Sequence, residues 1–135
     1  MLNPLYMEMQ TNKRIQKFLI HKSTESNIEP AQAKLVITTD GKTITTLLLE
    51  NNRVIKPVGI KEITAFFGKE HDDFNTTAII SYLNKIASVN QIPLKDVNIV
   101  ICENKGKVGT HLYAGTKHKQ KLSTVDFLTH FNTID

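Results

Sequence analysis

The densest chemistry in the chain lies in residues 105–121, KGKVGTHLYAGTKHKQK. This segment carries five lysines (Lys105, Lys107, Lys117, Lys119, Lys121), two histidines (His111, His118), Tyr113 and no carboxylate. The chain holds 17 Lys+Arg against 13 Asp+Glu, so without those five lysines 12 cations would face 13 anions. The whole positive excess therefore sits here, where it raises the potential for anionic partners, nucleic acid foremost. As a strand, the segment turns Val108, Thr110, Leu112 and Ala114 one way, and His111, Tyr113, Lys117 and Lys119 the other. The first set suits a core. The second interleaves a ring with cations, the combination that binds single strands by tracking phosphates and stacking on bases. The competing reading is a solvated edge hairpin whose lysines block strand-to-strand aggregation. Lys13, Arg14, Lys17 and Lys22 form a second basic group; the first three would extend the groove.

Other side chains suggest other chemistries. Asp40 and Glu103 stand at the ends of expected strands, and two carboxylates there could share a magnesium ion, as a nuclease requires. Such a site wants a third acid from the intervening helix, which has none; Asp126 is a substitute that nothing in the sequence places nearby. Glu70, His71, Asp72 and Asp73 resemble a metal cluster, but adjacent residues rarely aim at one point, and a polar helix entrance accounts for them. His111 and His118, seven apart on one strand, would lie on opposite faces, and neighbouring lysines disfavour their charged forms. Cys102 falls in the most apolar run, where burial raises a thiol's pKa and makes it inert. Gly106, Gly109 and Gly115 do not follow a strand and open a helix, so no phosphate loop is present; they fit a twisted hairpin. No metal or cofactor is expected.

Length and composition bound these readings. A chain of 135 residues makes one domain, and 40% hydrophobic residues suffice for a core. A single cysteine excludes an internal disulfide and fits a reducing compartment. No apolar run reaches the roughly 20 residues of a spanning helix, and the first ten residues do not read as a signal peptide. The expectation is a soluble cytoplasmic protein.

The elements follow from periodicity. Residues 1–10 read as a flexible or docking arm, Met-rich and interrupted by Pro4, that could pair copies of the chain into a homo-oligomer. Residues 11–135 form a single α+β domain. Residues 11–22 fit either helix or strand; the Phe18-Leu19-Ile20 run favours a strand. Residues 33–51 form a hairpin about Asp40-Gly41, whose two-residue loop would set Ile37 opposite Ile44. Its threonine-rich face reads as polar and Leu47–Leu49 as buried. A short strand over 53–56 ends at Pro57, and residues 58–68 suggest a short helix. Residues 74–90 form the clearest helix, with Ile79, Ile80, Leu83, Ile86, Ala87 and Val89 on its apolar stripe. Residues 96–104 form a central strand, and 122–131 a C-terminal helix. No internal repeat is apparent.

The fold is thus α+β, either a mainly antiparallel sheet or an OB-like five-stranded barrel with a helix between strands 3 and 4. A truncated ribonuclease-H-like order is the alternative. The function expected is non-enzymatic binding of single-stranded DNA or RNA through Lys105, Lys107, His111, Tyr113, Lys117, Lys119 and Lys121. The alternatives are an oligomeric protein-interaction or inhibitor module and a magnesium-dependent nuclease.

Overall fold

The structure, a computed structural model, describes residues 4–59, 76–104 and 107–124. Helix α1 (Pro4–Glu25) leads through a 3-10 turn (Pro30–Gln32) into strands β1 (Ala33–Thr39), β2 (Ile44–Glu50) and β3 (Arg53–Pro57). Helix α2 (Thr76–Val89) leads through a second 3-10 turn (Leu94–Asp96) into β4 (Val97–Asn104), β5 (Lys107–Ala114) and β6 (Lys117–Leu122). The six strands form one antiparallel sheet in the order β3-β2-β1-β4-β5-β6. The class is α+β as expected. The sheet is open, with β3 and β6 at its edges, and does not close into an OB-like barrel. Both helices bury their stripes on one sheet face: Ile15, Phe18 and Leu19 from α1, Ile79, Leu83 and Ala87 from α2, against Leu35, Ile37, Leu48, Ile99, Ile101 and Leu112.

Residues 11–22 are helix, not the strand that the Phe18-Leu19-Ile20 run suggests. The spacing of Ile15, Phe18 and Leu19 decides it: all three are at most 2% exposed, while Ile20, required to point inward by a strand, is 43% exposed. Pro4–Gln10 open the same helix, with Pro4 at a first-turn position that asks no N–H of it. Lys22 is buried rather than part of a basic surface; its ammonium lies 3.3 Å from Glu25 and over the Phe18 ring.

The first hairpin turns over four residues, not two. Thr39 pairs with Ile44 and Ile37 with Thr46, so Ile37 does not face Ile44. Asp40 builds the longer loop: its Oδ1 accepts the N–H groups of Lys42 and Thr43, while Gly41 takes φ 97°. Thr39 and Thr46 are buried, so the threonines do not form a uniformly polar face. On the expected stripe of α2, Val89 is instead 72% exposed; Tyr82 is buried. The expected helices over 58–68 and 122–131, and the acidic cluster at 70–73, lie largely outside the described residues.

Although no repeat is apparent in the sequence, the chain contains one. Its two copies, 15–58 and 79–122, are offset by 64 residues (15 to 79). The offset carries α1 onto α2, β1 onto β4, β2 onto β5 and β3 onto β6. Ile15/Ile79, Leu19/Leu83, Ile28/Ile92, Ile37/Ile101, Thr46/Thr110 and Leu48/Leu112 are identical and buried in both copies. The irregular features repeat too. Each helix ends in a Schellman motif: Asn27 and Gln91 take φ 57° and 56°, and the Ile28 and Ile92 N–H groups reach back to Ser23 and Ala87. The Asn51 and Gly115 N–H groups both donate to the 3-10 turn, at Gln32 and Asp96. The β2–β3 register shifts between Leu48 and Leu49, and the β5–β6 register between Leu112 and Tyr113. Val36 and Val100, counterparts of one another, pair directly across β1 and β4. A pseudo-two-fold axis passes between them.

Candidate nucleic-acid interface

Among the described residues both helices lie on one face of the sheet, and the candidate interface is built on the other. Its central row, read across directly paired residues, is Lys121, His111, Val100, Val36, Leu47 and Pro57. One flanking row brings His118 beside Tyr113 and Asn98; the other brings Gly109 beside Cys102, Lys34 and Leu49. One half of the face is therefore aliphatic, and the other carries the rings and cations.

The basic segment is two strands rather than one, and this changes which side chains meet. The chain reverses at Gly115-Thr116, with Gly115 at φ 61°, so Tyr113 pairs with His118 and Ala114 with Lys117. His111 and His118, expected on opposite faces, share one: Nδ1 of His111 lies 3.1 Å from Nε2 of His118. The Tyr113 and His118 rings meet edge-on at 5.3 Å. Lys119 is the extra residue in the register shift. Passing over it turns Lys121 onto the same face, opposite His111. Lys117 pairs with Ala114 and so takes the face opposite Tyr113, contrary to the single-strand reading.

A Cβ on Gly109 would stand 3.3 Å from His111 Nε2 and 3.5 Å from Lys121 Cε. The imidazole and the lysine stem thus both lie close over residue 109, and a side chain there would press on the imidazole. Burial holds His111 below the ordinary imidazole range, and His118 and Lys121 push it the same way. Lys107, Lys117, Lys119 and Lys121 are exposed, and none has a carboxylate partner among the described residues. Lys105 lies outside them. Lys13, Arg14 and Lys17 are exposed on α1, away from Ile15, Phe18 and Leu19, and α1 covers the other side of the sheet. The two basic groups are not brought together into one groove.

The carboxylate pair does not converge. Lys34 faces Cys102 and Ile37 faces Ile99, so Glu103 lies near the start of β1 while Asp40 closes its far end. About seven residues of strand, roughly 23 Å, separate them. Asp40 serves its turn, and the Thr43 and Lys42 N–H groups hold its carboxyl below the usual range. No set of three or more metal-ligating side chains is grouped among the described residues. Cys102 is half-buried, and desolvation raises its thiol pKa, opposed by Lys34. No described helix is long and apolar enough to cross a membrane.

No family model, curated protein or solved structure matches the chain. The comparison left to it is with itself. Moving back 64 residues from 111, 113, 118 and 121 arrives at Leu47, Leu49, Val54 and Pro57. The same strand pair, register shift and turn are thus built twice, once with aliphatic residues and proline, once with His, Tyr, His and Lys. The alternation read from sequence puts His111, Tyr113 and Lys121 on one face, as the strand pairing does, but misplaces Lys117. It missed the histidine pair, whose signal was the Ala-Gly-Thr-Lys turn inside the presumed strand.

Proposed function

We propose that this protein binds single-stranded nucleic acid, without catalysis, on the sheet face that carries Tyr113, His111, His118 and Lys121. One observation carries the reading: the fold does not need these residues, because the first copy makes the same hairpin with Leu47, Leu49, Val54 and Pro57. A ring that packing does not require, beside free ammonium groups, is what base stacking and phosphate contact need. Lys107 and Lys119 flank the rings, and Lys34 lies farther along the face on β1. The half-buried Val36 and the buried Val100 continue it as an apolar shelf.

Titration of a labelled single-stranded oligonucleotide tests this. Tyr113→Leu, which installs the first copy's residue, is expected to weaken binding about tenfold, the value of one stacked base. Lys121→Ala is expected to weaken it and to reduce the slope of log Kd against log salt by about one. Wild-type binding equal to that of the Tyr113→Leu, Lys121→Ala double variant would remove the reading.

The aliphatic half of the face favours a second reading, a protein-interaction module in which two copies meet. Val54 is 55% exposed, beside half-buried Leu47 and Leu49. Light scattering decides it: a dimer that Val54→Lys dissociates supports the module, and a monomer counts against it.

A further inference from the structure

We infer that the His111–His118 pair, with Lys121, is a phosphate subsite that takes up one proton when the phosphate binds. The inference rests on reading this face as a nucleic-acid surface and names how that surface is regulated.

Two imidazole nitrogens 3.1 Å apart hold one proton between them. The neutral pair has two N–H groups in all, and one lies in the shared bond. His111 Nε2, the nitrogen over Gly109 beside the Lys121 stem, then carries a hydrogen in only one of two tautomers. In the other tautomer it offers an anion a bare lone pair. Adding one proton to the pair keeps the shared bond and makes Nε2 a charged donor. A phosphate oxygen seated beside His111 Nε2 and Lys121 therefore favours the protonated pair.

The surroundings disfavour that proton on His111 in the free protein. Lys121 pairs with His111 from β6, and Lys119 interrupts the same strand. Val100 lies opposite His111 on β4, with Cys102 opposite Gly109 and Lys34 beyond it on β1. Tyr113 edges onto His118. Along these strands no carboxylate shares the face among the described residues. Burial, then His118 and Lys121, hold His111 below its ordinary value. A bound phosphate reverses the sign of the local field and raises it. Affinity is therefore expected to increase as pH falls through about 6.5, by up to about tenfold per pH unit for one proton.

The first copy supplies a fold-preserving control. The counterparts of His111 and His118 are Leu47 and Val54, so the double variant His111→Leu, His118→Val copies a pairing that this scaffold already makes. A labelled single-stranded oligonucleotide is titrated at about pH 6 and about pH 8 at fixed salt. Calorimetry in two buffers of different ionisation heat counts the protons taken up. Wild type is expected to bind at least about tenfold tighter at the lower pH with uptake approaching one proton, and the double variant to lose that dependence. His118→Gln, at an exposed position, is expected to lose it as well. Equal pH dependence in wild type and variants, or no proton uptake, would overturn the inference while leaving the interface reading to its Tyr113 test. No wild-type binding at either pH would overturn both.

Discussion

Thr46 and Thr110 occupy the same place in the two copies, yet their hydroxyls are treated differently. Thr110 Oγ1 lies 2.8 Å from Thr124 Oγ1, whereas Thr46 Oγ1 is buried with no hydrogen-bond partner among the described residues. A buried hydroxyl without a partner costs its desolvation. Thr46→Val is therefore expected to be neutral or to stabilise by about 1 kcal/mol, and Thr110→Val to destabilise by about 1 kcal/mol. Urea unfolding of the two variants checks the contrast. Such asymmetry was not legible in the sequence, which sets Thr110 among core-facing residues but does not say which hydroxyl finds a partner. That His111 and Tyr113 share a face was legible because alternation is a local property; the place of Lys117 was not, because it lies beyond the turn. The histidine pair was not, because a turn two residues long changes which parity shares a face.

Local periodicity also sets how far the elements themselves could be read. The α2 helix announces itself through Ile79, Leu83, Ile86 and Ala87, and the central strand through Val97, Ile99 and Ile101. Helix α1 was misread because three consecutive large apolar residues suit either period, and only their burial separates the two. The Asp40-Gly41 turn was placed correctly, but its register slipped by two residues because the Asp40 side chain, not the backbone alone, sets the loop length. A slip of two keeps every side chain on its face, so the inward pattern survived. The helix ends yield a prediction. Gln91 holds a left-handed conformation that glycine adopts freely, and its side chain is exposed. Gln91→Gly is expected to stabilise the protein by roughly 0.5–1 kcal/mol, read as a raised Tm, and no gain would mean that Gln91 makes a compensating contact.

Among the described residues the molecule is one sheet made from two copies, joined where Val36 meets Val100. Because β1 and β4 are each paired on both sides, neither copy can leave without exposing the other's central strand. Unfolding by heat is expected to be a single cooperative transition, with β1 and β4 amides protected alike in hydrogen exchange; two separate transitions would show independent copies. The repeat escaped the sequence because packing constrains volume and polarity rather than identity, as Phe18/Tyr82 and Leu35/Ile99 show. The axis between the copies has one more consequence. A nucleic-acid chain has a direction, and a half-turn reverses it: along a path that crosses both copies, identical side chains would meet the chain once forwards and once backwards. In this sheet the two halves are already unequal, with Leu47, Leu49, Val54 and Pro57 on one and His111, Tyr113, His118 and Lys121 on the other.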